Sequence, residues 1–248
     1  MAKLRVHNIE SGPASSDVAF GISGDTIAVS SDSLKLNTWK DSGGNTLFVS
    51  DGAGTLSSVN SGISGGGPKL ILSQTADGDS SISFTSGIDS TYDKYMIVCT
   101  PIAAATDQVH FQFQCSTDGG SNYNTTMTTT TWHAQHNEAD WDSGIGYNTS
   151  IDQAQGTAYQ DLLTYLGNAA KECGAGILQL YSPSSTTYLK QFMWNGNNYM
   201  SYPSGAGEAY TWEHFVAGYF NTTSAINAIS FKVSSGNFSG KVKLYGVS

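Results

Sequence analysis

Two patterns of alternation meet at Gly65-Gly66-Gly67-Pro68. Before the glycines, short pieces alternate apolar and polar residues at roughly period two, over 17–20, 26–29, 33–36, 46–49 and 55–59. That period puts successive side chains on opposite faces of a strand. Gly24-Asp25, Ser42-Gly43-Gly44-Asn45 and Asp51-Gly52-Ala53-Gly54 supply turn chemistry between several of them. The segment carries few large side chains. One copy buries too little apolar area, at ~25 cal/mol per Å², to offset about 1.5 kcal/mol of ordering entropy per residue. It is therefore expected to fold against other copies or against a larger particle.

After the glycines the strands are longer and richer. They are expected at 69–73, 81–85, 93–100, 108–115, 125–133, 175–182, 187–194, 214–219, 227–233 and 241–247. Val109, Phe111, Phe113 and Cys115 face one way, and His110, Gln112 and Gln114 the other. Ile229, Phe231 and Val233 repeat that pattern, as do Val242 and Leu244 against Lys241 and Lys243. The stretch 157–167 reads as a short helix or a strand, because Tyr159, Leu162, Leu163 and Leu166 have near-helical spacing. The expected fold class is all-β. A short-stranded stalk or anchor over 1–64 precedes an antiparallel, jelly-roll-like β-sandwich over 68–248.

Composition narrows the partners. Charged residues are 12% of the 248, against roughly 25% in an ordinary domain. Gly, Ser, Thr and Asn fill the deficit, while aromatics at 11% argue against disorder. The net charge of −9 disfavours nucleic acid and anionic membrane surfaces. No run reaches the ~18 apolar residues of a membrane span, and the first ten residues lack the apolar core of a secretory signal. Cys99, Cys115 and Cys173 are expected as reduced, half-buried structural thiols. Cys99 and Cys115 fall near opposite ends of one expected hairpin, out of register.

Candidate chemistry is sparse. His133 and His136, with Glu138 and Asp140 close behind, would be spaced for zinc on a helix. The segment follows a Thr-rich strand and precedes Trp141-Asp142-Ser143-Gly144, so a polar loop is expected, with no metal and no cofactor. Asp77-Gly78-Asp79 and Asp118-Gly119-Gly120 read as turns, since neither continues into a calcium loop. There is no Gly-x-Ser-x-Gly elbow and no phosphate-cradling glycine loop, and the chain is not expected to be an enzyme. Residues 193–203 are crowded with aromatics and amides and are expected as a loop. Together with Trp141 they give the candidate ligand contacts Trp141, Trp194, Asn197, Tyr199 and Tyr202, a set suited to a sugar or a protein partner.

Three stretches carry a resemblance. The run 45–62, Asn-Thr-Leu-Phe-Val-Ser-Asp-Gly-Ala-Gly-Thr-Leu-Ser-Ser-Val-Asn-Ser-Gly, resembles N-terminal parts of tail-fibre-like proteins of marine bacteriophages. Ser83 to Tyr95 with Ser116 to Tyr123, and the closing run from Gly218 to Gly246, resemble blocks in virion structural proteins of such phages. The resemblance covers most of the chain and supplies no catalytic residues. It implies a homotrimeric tail fibre or surface appendage on the virion. Residues 1–64 would contact sister chains and other virion proteins, and a distal knob would contact a host-surface glycan or protein. A capsid decoration protein that studs or cements the shell shares these features, and a lectin-like carbohydrate-binding module shares the fold.

Overall fold

A computed structural model of the protein describes residues 67–201 and 209–247, with 38–40, 43–50 and positions 53, 56, 57 and 59. The chain forms two compact units, Met1–Gly65 and Gly66–Ser248. In the first, β1 (Thr38–Lys40), β2 (Thr46–Ser50) and β3 (Leu56–Ser57) make a three-stranded antiparallel sheet. Trp39 stacks on Phe48 across β1 and β2 at 5.5 Å. The strand at β1 was not expected. The expected strands at 17–20, 26–29 and 33–36 lie outside the described residues.

The second unit holds β4 (Lys69–Asp79), β5 (Ser81–Phe84), β6 (Lys94–Ala104), β7 (Val109–Ser116), β8 (Met127–Asn137) and β9 (Ser143–Tyr147). They are followed by β10 (Gln160–Leu166), β11 (Gly174–Tyr181), β12 (Lys190–Ser201), β13 (Ala209–Phe220), β14 (Ala228–Val233) and β15 (Phe238–Val247). All described strand pairings are antiparallel, and there is no helix among the described residues. One sheet runs β10-β7-β14-β5 and the other β4-β15-β6-β11-β12-β13-β8-β9.

Setting aside the β8–β9 and β12–β13 hairpins leaves eight strands. Numbered along the chain, they lie in the orders 1-8-3-6 and 2-7-4-5. That is the double Greek key of a jelly roll. The two hairpins then widen the 1-8-3-6 sheet at its β11 edge, taking it to eight strands.

The core is the space between the inner faces. Phe111, Phe113 and Phe231 of the small sheet meet Phe192, Trp194, Leu178, Ile97 and Leu244 of the large one. Phe111 stacks on Phe231 at 5.7 Å, and Phe113 meets Phe192 edge to face at 5.0 Å. Each of these side chains contributes about 1.5–3 kcal/mol through burial.

Several local expectations are settled or changed. Of the two readings left open for 157–167, the structure has the strand, the edge strand β10. Its pairing with β7 slips between Asp161 and Leu163 and again between Leu163 and Leu166. These bulges let Leu162, Leu163 and Leu166 all face inward at a spacing that imitates a helix. β6 and β7 lie in opposite sheets, so Cys99 and Cys115 do not share a hairpin. Both thiols are fully buried rather than half-buried, and burial pushes their pKa values up, while Cys173 is partly exposed. Strand β8 continues through the expected polar loop to Asn137, and β12 continues through the expected aromatic loop to Ser201. The β9 strand, unexpected, turns back from β8.

Candidate functional site

The extended ends of β8, β12 and β13 frame a cleft of about 250 Å³. Tyr210 opposes Asn137 in β13 and β8, and Thr211 opposes both His136 and Tyr199 across its two neighbours. The cleft is lined by these residues with Asn197 and Glu138. Three residues from the sequence reading, Asn197, Tyr199 and His136, are therefore brought together.

Asn137 organises the floor. It is almost wholly buried, and its Oδ1 accepts from the backbone N–H groups of Trp141 and Asp142 at 3.1 Å each. These bonds hold the β8–β9 turn, where Asp140 takes a positive φ of 59°. With Oδ1 so fixed, the amide orientation is set, and the buried Nδ2 of this cleft-lining residue finds no hydrogen-bond partner in the protein. A buried donor without a partner costs about 1–3 kcal/mol unless something satisfies it.

The walls are a mixture of rings and polar groups. Asn197 Nδ2 donates to Thr211 Oγ1 at 2.7 Å. The Lys171 ammonium sits 5.2 Å from the centroid of the Tyr199 ring. A hydrogen bond to Tyr199 is the main cause that holds the Lys171 pKa up. His136 Nε2 lies 3.1 Å from Asp140 Oδ1, an exposed pair that contributes little to stability. Amide, hydroxyl and carboxylate groups beside two tyrosine rings can hold a polyhydroxylated ring by stacking and paired hydrogen bonds.

The other expected contacts divide. Trp141 is 63% exposed on the β8–β9 turn and does not line the cleft. Trp194 is not a surface contact: it is 2% exposed and packs in the core, 6.4 Å from Phe111. Strand alternation turns it inward while Asn197 and Tyr199 turn outward. Tyr202 lies outside the described residues.

His133 and His136 do not form a metal pair. Three residues apart on a strand, they point to opposite faces. His133 turns inward against Trp212, 5.0 Å away, and faces His214 across β8 and β13. No group of three or more metal-ligating side chains comes together among the described residues.

A second polar cluster was not legible in the sequence. His110 Nδ1 lies 2.7 Å from Asp161 Oδ2, and Gln112 donates to Asp161 Oδ1 at 2.6 Å. His110 meets the Tyr165 ring, which stacks on Trp212, which in turn stacks on His214. His214 Nε2 lies 3.0 Å from Asn198 Oδ1, and burial drives its pKa down to about 3. Strands β7, β10, β12 and β13 supply these residues, and no local motif could bring them together. No protein-family model, no curated protein and no solved structure matches the chain.

Proposed function

We propose that this protein is a non-enzymatic virion structural protein, a trimeric tail fibre or surface appendage. Its β-sandwich contacts the host surface during adsorption. Residues 1–64 attach it to sister chains and to other virion proteins. The observation that carries the reading is the cleft beside Asn137, built on a jelly roll, a fold used by capsid and lectin domains. Fold alone is an analogy, so the weight falls on the site. The amide, hydroxyl and carboxylate side chains of Asn197, Thr211 and Glu138 beside Tyr199 suit a surface glycan. The resemblance to tail-fibre-like proteins points the same way and adds the trimer.

Competition with adsorption tests the reading. Purified full-length protein, added to host cells before the phage, is expected to slow adsorption. The Asn197→Ala and Tyr199→Ala variants are expected to compete at least tenfold less well. Unchanged adsorption, with binding instead to capsids that lack tails, would replace the adsorption role by shell decoration. That second reading is kept because the first unit's short three-stranded sheet suits direct attachment as well as a stalk.

A further inference from the structure

The two outer faces of the sandwich differ in kind. The small sheet turns His110, Gln112, Gln114, Ser230 and Lys232 outward, opposite the core residues Phe111, Phe113 and Phe231. That face is polar and partly covered by its own chain: Gln114 and Ser230 are buried, and Gln114 Nε2 donates to the carbonyl oxygens of Thr157 and Ala158. The large sheet turns outward a cross-strand row of Lys243, Val98, Ile177, Asn195, Phe215, Trp132 and Tyr147. Five of those seven are apolar or aromatic, and Met193, 52% exposed, extends the patch from the neighbouring row. A monomer rarely leaves such a surface uncovered.

The edge beside it is also unpaired among the described strands. Asn148 N donates to Thr131 O at 2.9 Å and Asn137 N to Asp142 O at 3.0 Å. Antiparallel alternation between those bonds turns the amides of Gly144 and Gly146 toward β8. The amides of Ser143, Ile145 and Tyr147 then face the open edge. Strand β9 has no charged residue and no proline, and Ile145 is 79% exposed. Edge strands are normally protected by charge, proline or a bulge. By contrast, the opposite edge strand β4 carries Lys69, Asp77 and Asp79, with two irregularities in its pairing to β15.

We infer that the outer face of the large sheet, with its β9 edge, is the surface through which copies of this chain pack on one another. Two features select a second copy over a small ligand. The row crosses seven strands, about 29 Å at ~4.8 Å spacing. With the two rows beyond it on the side of Met193 it covers roughly 600 Å², near the ~800 Å² per partner of a stable interface, and leaves Asn197 of the cleft outside. The charges stand apart, Lys241 and Lys243 on β15 and Glu213 on β13, with Asp77 at the far end of β4. Around a three-fold axis the β15 side of each face meets the β13 side of the next, which sets Lys243 against Glu213. The inference adds a contact within the sandwich to the one proposed for residues 1–64, and it holds whether or not the particle uses the protein for adsorption.

Carbene footprinting of the full-length protein, with sedimentation velocity on the same sample, is the test. Tyr188, 72% exposed on the loop before β12, is the internal reference. Trp132, Ile177 and Met193 are expected to label several-fold less than Tyr188, in a species heavier than the 26.2 kDa chain. The double variant Ile177→Asp with Met193→Asp is expected to raise labelling of Trp132 several-fold, to the level its 39% exposure sets against 72% at Tyr188. Its near-ultraviolet circular dichroism should stay native, because both side chains are partly exposed. Ser81→Glu, at an exposed position on the outer face of the small sheet, is expected to change nothing. A 26.2 kDa monomer overturns the inference. So does an oligomer in which Trp132 and Met193 already label in proportion to their 39% and 52% exposure, since the first unit alone would then hold the copies together. Loss of adsorption blocking with the face still protected would instead count against the adsorption role.

Discussion

Trp132 lies face to face on Phe215, with ring centroids 3.8 Å apart and planes 10° from parallel. The two residues are direct partners across β8 and β13 on the outer face of the large sheet. Cross-strand aromatic pairs are worth about 0.5–1.5 kcal/mol beyond the area they bury. A double-mutant cycle of Trp132→Ala and Phe215→Ala, read by urea unfolding, is expected to give a coupling energy in that range. A coupling near zero would show the stack to be geometric only.

A second relationship explains an odd piece of sequence. Trp194 sits between Gly196, two residues on along β12, and Gly176, across from Gly196 on β11. A Cβ at either glycine would run into the indole ring, and at Gly196 would come within 2.8 Å of its Nε1. Gly196→Ala and Gly176→Ala are each expected to cost about 1–3 kcal/mol, the usual penalty for overpacking. Gly144→Ala, where a Cβ meets nothing within 4 Å, is the control and is expected to cost under about 1 kcal/mol. Thermal unfolding of the three variants measures the contrast.

That packing also shows where sequence reading stops. Asn195-Gly196-Asn197-Asn198 has the composition of a turn, yet its glycine is there to make room for Trp194. Asn198 is there to donate through Nδ2 to Thr164 O at 3.1 Å. Composition alone cannot tell a turn glycine from a packing glycine, so β12 was read seven residues short, ending at 194 instead of 201. The bulged β10 misled for a related reason: irregular register makes three leucines face inward at helical intervals. Where alternation is regular, as in Val109-His110-Phe111-Gln112-Phe113, the strand and its buried face were legible from the residues. The cleft was half legible. Asn197, Tyr199 and His136 stood out by type, but Thr211 and Tyr210 joined them only through pairing across β12, β13 and β8.

Lys190 is a charged residue with no exposed surface. Its Nζ donates to the carbonyl oxygens of Tyr188 and Thr222 at 3.1 Å each, tying the start of β12 to the loop after β13. Burial lowers the pKa of this amine. Lys190→Met keeps the stem but leaves both carbonyls without a donor, so a loss of about 1–3 kcal/mol is expected from the urea midpoint. Lys171→Met, at an exposed amine, is expected to leave the urea midpoint nearly unchanged.

Acid sensitivity should concentrate at His214. Burial, and then the neighbouring His133 and His110, hold its folded pKa at about 3, against an ordinary value of 6.5. The neutral ring donates from Nε2 to Asn198 Oδ1, 3.0 Å away. Between pH 6.5 and about 3 the unfolded chain binds a proton at this position that the folded chain refuses. Stability therefore falls as pH drops through that window, by at most about 1.4 kcal/mol per pH unit for one histidine. His133, whose pKa burial also lowers, adds a loss of the same sign. The carboxylates whose pKa values are lowered, Asp118 to about 2 and Asp89, also lose stability in acid, but only below their ordinary value of 3.8. Urea unfolding at pH 7.5 and pH 4.5 thus isolates the histidines. The wild-type protein is expected to be less stable at pH 4.5, and His214→Gln is expected to narrow the difference whatever it does to stability at pH 7.5. An equal drop in variant and wild type would assign the acid sensitivity to other groups.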